Sequence, residues 1–257
     1  MKKRIVLGDI HGHIDTVKQI YELENPTDVI ILGDYCDSFK LNPVDIEHCF
    51  SELLYMKSKH TRGEFHLLIG NHDLHYMLTS EKYSGKNYVT ESMMHDKLME
   101  AWDSKVLEPY LVDERNKTIY SHAGITKTWS EIWKHNIGDE VNLDSLRFTF
   151  GDTFNCYGDC PENGFLWVRP MSLYDDMIDG YKQVVGHTVT EFPIVLSKEN
   201  VEPSIDFKDK VKINSDGVLF IIDTLPFWYM VEKLEDNGKL IEREFKKFKE
   251  FDKNYRQ

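Results

Sequence analysis

The sequence predicts an α/β fold, and two observations carry that reading. Strand-like and helix-like segments alternate regularly over the first 75 residues, and short β-type segments dominate the last third. Strand, helix, strand, helix, strand is the pattern of a parallel sheet covered by helices. Arg4 to Leu7 reads as a buried strand. From His13 to Glu24, Ile14, Val17, Ile20 and Tyr21 recur at helical spacing and mark an amphipathic helix. Asp28 to Leu32 is a second apolar strand. Asn42 then offers a side-chain cap and Pro43 takes the first helical position. They open a helix through Lys57 with Ile46, Phe50, Leu53 and Leu54 turned inward. Phe65 to Ile69 is the third strand.

Residues 74–115 read as helical, with Met93, Met94, Leu98 and Trp102 as a core stripe. Thr118 to Ser121 is a strand, and residues 126–180, rich in Asp, Asn, Gly and aromatics, read as helices and loops. Gln183 to Val185, Pro193 to Leu196, Val211 to Asn214 and Val218 to Asp223 follow as short strands. Phe227 to Leu234 and Leu240 to Phe245, joined through Glu235-Asp236-Asn237-Gly238-Lys239, read as a hairpin with a glycine in its turn. No repeat or low-complexity linker divides the chain. The expectation is one domain over residues 1–245 and a charged, frayed tail over 246–257.

The composition narrows the classes of function. At 257 residues, 41% hydrophobic and 29% charged, the chain is that of a globular protein. Its longest apolar runs, such as Val29 to Leu32 and Val218 to Ile222, fall far short of the roughly 20 residues a membrane helix needs. The basic start Met1-Lys2-Lys3-Arg4 is followed by an apolar run that stops at Gly8-Asp9, too short for a secretory signal. A net charge of −13 disfavours nucleic acid as a partner. It leaves room for a small anionic substrate, because bound metal ions reverse the sign locally. Four cysteines form no disulfide framework, which points to the reducing cytoplasm. Cys156 and Cys160 find no matching pair in Cys36 and Cys49, so a zinc knuckle is not expected.

The chemistry collects at the strand ends. The first strand runs into Gly8-Asp9-Ile10-His11-Gly12, the second into Gly33-Asp34-Tyr35-Cys36-Asp37, and the third into Gly70-Asn71-His72-Asp73. The strand at 118–121 ends in His122-Ala123-Gly124, and that at 183–185 in Gly186-His187-Thr188. Ligands of open α/β sheets sit beyond the carboxyl ends of the strands. Any one such Gly-Asp or Gly-His pair is an ordinary turn or cap. Five of them, each delivering Asp, Asn or His beside a glycine, make a site for divalent metal ions.

These five motifs, in this order, resemble the calcineurin-like metallophosphoesterases, and specifically their phosphoprotein phosphatase branch, over about residues 4–224. The resemblance implies two mixed β-sheets packed as a sandwich and flanked by helices. It also implies two divalent ions, manganese foremost, with iron, zinc, nickel and cobalt as alternatives. Asp9 and His11 match the ligands of the first ion, Asp34 the bridge, and Asn71, His122 and His187 the ligands of the second. Such a pair turns a bound water into hydroxide near neutral pH for in-line attack on phosphorus. His72 matches the general acid that protonates the leaving oxygen, and Asp37 is placed to orient it. Leu166-Trp167-Val168-Arg169 resembles an aromatic-plus-arginine segment that makes Arg169, with Asn71, a phosphate ligand.

Two departures bear on the substrate. The protein phosphatases carry an arginine and glycine after the Asp37 position, where this chain has Ser38-Phe39. Lys40 and Arg62 are the available stand-ins. Asp73 in place of glutamate, and His122-Ala123-Gly124-Ile125-Thr126 with Trp129, resemble the bacterial diadenosine tetraphosphatases. That group, however, usually lacks the Asp37 carboxylate. Phosphate monoesters of the phosphoserine or phosphothreonine type, in proteins or small metabolites, are therefore the expected substrates. Dinucleoside polyphosphates are the alternative.

Overall fold

A computed structural model describes residues 1–38, 40–78, 86–147, 159–197, 210–212 and 217–249. The first half is built as its apolar periodicity requires. Strand β1 (Lys2–Leu7), helix α1 (Ile14–Glu24), β2 (Asp28–Ile31), α2 (Pro43–Lys59) and β3 (Phe65–Leu68) alternate, and β1, β2 and β3 pair in parallel. The Asn42 side chain accepts the N–H groups of Val44 and Asp45, each at 3.0 Å, so α2 starts at Pro43. Helices α3 (Asn71–Met77) and α4 (Tyr88–Asp103) follow, the latter burying Met94, Leu98 and Ala101, with Met93 and Trp102 half-buried beside them.

The helical reading of 74–115 fails at its end. Pro109 cannot donate to a helix. The chain instead forms β4 (Leu107–Glu108) and β5 (Tyr110–Asp113) around it, before β6 (Thr118–Ser121). Helix α5 (Lys127–Trp133), short 3-10 turns at Leu143–Leu146 and Pro161–Leu166, and α6 (Pro170–Asp175) occupy the described part of 126–180. Next come β7 (Lys182–Val185), β8 (Ile194–Ser197), β9 (Lys210–Lys212), β10 (Gly217–Ile221), β11 (Trp228–Leu234) and β12 (Leu240–Lys247). β12 thus takes in the first two residues of the expected tail, Lys246 and Lys247. Cys156, Phe39 and residues 250–257 lie outside the described residues.

The strands make two mixed sheets, ordered β4-β3-β2-β1-β11-β12-β9 and β5-β6-β7-β10-β8. Alternation along each strand divides the burial. On β1, Ile5 and Leu7 face α1 and α2 with Val17, Ile20, Phe50 and Leu53, while Val6 joins Tyr120, Val184, Phe220 and Met230 between the sheets. Leu173 of α6 covers the far side of the second sheet with Val185, Leu219 and Ile221. The order of layers is therefore helices, sheet, sheet, helices. No helix among the described residues is long and apolar enough to cross a membrane.

At one end the filling between the sheets turns ionic. Glu232 of β11, fully buried, accepts from Arg243 Nε at 2.6 Å, Tyr120 Oη at 2.7 Å and Arg4 Nη1 at 3.1 Å. Arg4 also donates to Asp113 at 3.0 Å, and Arg243 to Thr118 at 2.8 Å, so the cluster ties β1, β11 and β12 to β5 and β6. Burial pushes the Glu232 carboxyl up, but Arg243 and Arg4 outweigh it and hold it below its ordinary 4.5. A carboxyl depressed in the folded state stabilises the fold above its unfolded pKa, and that contribution is lost as pH falls through the folded value. Glu232→Ala leaves two buried guanidiniums without their shared partner and is expected to lower the unfolding free energy by about 3–5 kcal/mol at neutral pH. Urea titrations should show the gap between variant and wild type closing as pH drops below about 4.5.

Candidate metal centre

Six strand ends meet at one edge of the sandwich, three from each sheet. β1 delivers Asp9 and His11, β2 Asp34 and Asp37, and β3 Asn71 and His72; β6 delivers His122, β7 His187 and β10 Asp223. β1, β2 and β3 run parallel in one sheet, and β6, β7 and β10 in the other, so all six carboxyl ends point the same way. Of the eight non-glycine residues with positive φ among the described residues, four are His11, Asp34, Asp37 and His187. Backbone held in that region costs of order 1–3 kcal/mol per residue and concentrates at functional sites.

Asp34 stands at the middle, with His11 Nε2 and His122 Nε2 each 3.6 Å from its Oδ2. Its Oδ1 accepts the His72 N–H at 2.9 Å. Burial pushes this carboxyl up, yet His122, His72 and His11 hold it below the usual range. Asp9 is the opposite case: burial, then the charges of Asp223 and Asp34, raise it well above that range. Its Oδ1 accepts the His187 N–H at 3.0 Å and lies 3.7 Å from His122 Nδ1. A Cβ at Gly186 would collide with the Asp9 carboxylate, and one at Gly70 with Asp34. These two glycines let the strand ends close up.

The imidazoles are oriented as ligands. His122 Nδ1 donates to the Leu32 carbonyl at 2.9 Å and His11 Nδ1 to the Asp37 carbonyl at 2.8 Å; the Trp167 backbone engages the His187 ring. A backbone carbonyl on one nitrogen fixes the tautomer and turns the other lone pair inward. Burial keeps His122 and His187 neutral, with pKa values below the ordinary imidazole range. Asn71 Oδ1 then lies 2.7 Å from His122 Nε2 and 3.1 Å from His187 Nδ1. Oxygen and nitrogen atoms thus converge beside three buried carboxylates, a donor set that suits a cation. Asp9, His11, Asp34, Asn71, His122 and His187 can hold one or more divalent ions of the first transition row.

Beside this centre is a second cluster. Asp37 Oδ2 accepts His72 Nδ1 at 2.8 Å and lies 2.9 Å from His75 Nε2, and its Oδ1 accepts the Tyr76 hydroxyl. Burial pulls the His72 imidazole down, but Asp34 and Asp37 override it and lift its pKa to about 9. Arg169, at the mouth of α6, donates through Nη1 to the His187 carbonyl at 3.1 Å and to Thr188 Oγ1 at 3.3 Å. That aims its positive end at the same edge, where Asp9, Asp223 and Asp34 act on it electrostatically.

The proposed stand-ins for a second arginine separate. Arg62 donates to the Pro26 carbonyl at 2.9 Å and stacks on Tyr21, at the amino end of β2 and away from the site. Lys40 is exposed in the loop that follows Asp37. Ser38 itself accepts the N–H groups of Lys40 and Leu41, each at 3.3 Å, so this position shapes the turn.

The profile of the calcineurin-like phosphoesterases matches residues 2–191. The chain belongs to this family. Among curated proteins, it is 29% identical over 170 residues to a symmetrical bis(5'-nucleosyl)-tetraphosphatase of Salmonella paratyphi C, covering 62% of this chain and 56% of that relative. The protein of the same description from Klebsiella pneumoniae is 29% identical over 181 residues, covering 65% and 58%. The chain thus spans little more than half the length of these relatives. A protein serine/threonine phosphatase from Saccharomyces cerevisiae superposes with a TM-score of 0.50 at 13% identity, over 98% of this chain and 82% of its own, which is a likeness of fold.

Asp223 has no glycine beside it to mark its strand end, and His75 and Tyr76 meet Asp37 only because α3 packs against the loop after β2. The strand-end motifs leave Asp73 without a task. Asp73, fully buried, accepts the N–H groups of Asp34, Tyr35, Cys36 and Gly70 at 2.8–3.0 Å. Asp73→Asn sets an amide donor against these donors, and each one orphaned is expected to cost about 1–3 kcal/mol. Chemical denaturation of the variant measures this loss.

Proposed function

We propose that this chain hydrolyses phosphoric esters with two divalent ions held by Asp9, His11, Asp34, Asn71, His122 and His187, Asp34 being the bridge. The observation that supports this most is the convergence of the Asn71 oxygen with the inward nitrogens of His122 and His187 beside Asp9, Asp34 and Asp223. When bound, such ions lower the pKa of water towards neutrality and withdraw charge from the phosphoryl oxygens. Arg169 and Asn71 grip the phosphate, Arg169 with the end of its guanidinium not tied to the His187 carbonyl. His72 Nδ1 is committed to Asp37, so Nε2 is the atom that passes a proton to the leaving oxygen. A ligand set of oxygen and nitrogen accepts manganese, the ion taken as the working one in this reading, and equally iron, zinc, nickel or cobalt. The cytoplasm as its compartment fits Cys36 and Cys49, buried and unbridged.

Phosphate monoesters of the phosphoserine or phosphothreonine type are the leading substrates in this reading. A serine oxygen leaves poorly without a proton, and the His72–Asp37 pair is built to give one. Hydrolysis of dinucleoside polyphosphates is the second reading, supported by the activity for which the bacterial relatives are named. The manganese-loaded enzyme, offered a phosphoserine peptide and diadenosine tetraphosphate side by side, is expected to show the higher kcat/KM on the peptide; the reverse order establishes the second reading. Asp34→Ala should remove both ion binding, followed by calorimetry, and turnover. His72→Asn should keep ion binding and lose about 10²–10⁴ in kcat on the peptide.

A further inference from the structure

His75 and Tyr76 have no task in the mechanism above, yet both side chains reach the same carboxylate, Tyr76 by a hydrogen bond and His75 by a close ion-pair contact. His72, His75 and Tyr76 sit at spacings of three and four on α3, which puts them on one face of the helix. That face meets Asp37, whose backbone is held at a φ of 64°. His75 is completely buried, with Nε2 at 2.9 Å from the same Oδ2 that receives His72 at 2.8 Å. Tyr76 donates to Oδ1, and its hydroxyl accepts the Asn87 N–H at 3.1 Å, which anchors it to the first turn of α4. The His75 and Tyr76 rings pack edge to face at 4.3 Å, and His75 meets His72 the same way at 5.6 Å.

We infer that His75 and Tyr76 are positioning residues that act through Asp37 to fix the aim of His72. The inference rests on the reading of His72 as general acid. An ionised carboxylate only accepts, so Oδ2 facing two imidazoles sets a proton on Nε2 of His75 and on Nδ1 of His72. With Tyr76 holding Oδ1, the carboxylate cannot turn, and the His72 ring is held so that Nε2 faces the leaving oxygen. Without His75, Asp37 keeps its charge but gains freedom to rotate, and His72 moves with it. The loss then falls on proton delivery alone.

Two measurements test this. In the metal-free protein, long-range 1H–15N spectra of the histidine rings should show the Nε2–H form of His75; a bare Nε2 overturns the inference. In the manganese enzyme, His75→Leu should lower kcat on a phosphoserine peptide by about 10–100-fold with KM unchanged, the scale on which a partner orienting an active-site group acts. On 2,4-dinitrophenyl phosphate, whose leaving group needs no proton, the same variant should stay within about twofold of wild type. His75→Gln, which restores an N–H at the Nε2 position, should recover most of the loss, and Tyr76→Phe should fall in the same direction by less. In a His72→Asn background, His75→Leu should add nothing. Equal losses on both substrates, or additive losses in the double variant, overturn the inference. If His72→Asn itself shows no dependence on the leaving group, the general-acid reading fails instead. Should His75→Leu not fold, His75→Gln and Tyr76→Phe carry the comparison alone.

Discussion

The site depends first on the Asp73 carboxylate. It receives four backbone N–H groups from two different loops, three from the turn after β2 and one from the end of β3. Those loops carry Asp34 and Asp37 on one side and Asn71 and His72 on the other, so one buried anion sets their spacing. The His72 N–H to Asp34 adds a second tie between them. From there the coupling spreads by single bonds: the His11 N–H donates to the Asp34 carbonyl at 2.8 Å, His122 reaches the Leu32 carbonyl, and the Gly186 N–H meets the His122 carbonyl at 2.8 Å. His187 closes the circuit on Asp9. Each link joins backbone to a site residue, so the placing of the donor atoms does not rest on side-chain rotamers alone.

This arrangement opposes several of its own parts. Four site residues occupy left-handed backbone, and three buried carboxylates face each other at the sheet edge. Neither feature would survive in a loop free to relax. Both persist because the strands beneath are filled with Val, Ile and Leu that leave the ends no room to drift. The core stabilises, and the edge uses part of that stability to hold geometry that would not form alone.

Much of this was legible in the sequence, and the limits have physical causes. The alternation from Arg4 to Ile69 is plain because apolar spacing at 3.6 and at 2 leaves different marks. Asp9, His11, Asp34, Asp37, Asn71, His72, His122, His187 and Arg169 were reached because a strand end beside a glycine is a local pattern, or because a motif was matched. The two sheets converge on them as a group. Residues 107–113 misled because a short strand on either side of a proline has too few residues to show its period. Asp223 lacked the glycine. His75 and Tyr76 are ordinary helix residues until the fold brings Asp37 across, and Asp73 acts on N–H groups, which no residue letter records.

The seam between the sheets has a consequence for how this protein ages and is handled. Four of the proposed ligands follow strands of the first sheet and two follow strands of the second, so ions bound there would join the sandwich as a clasp, and binding to the folded form alone stabilises it by mass action. Remove the ions and like charges are left facing across the gap, with the ionic cluster around Glu232 as the tie at the far end. Chelation should then open the edge first and leave the opposite end closed, in the manner of a hinge. Ion supply would thus govern the lifetime of the protein as well as its turnover.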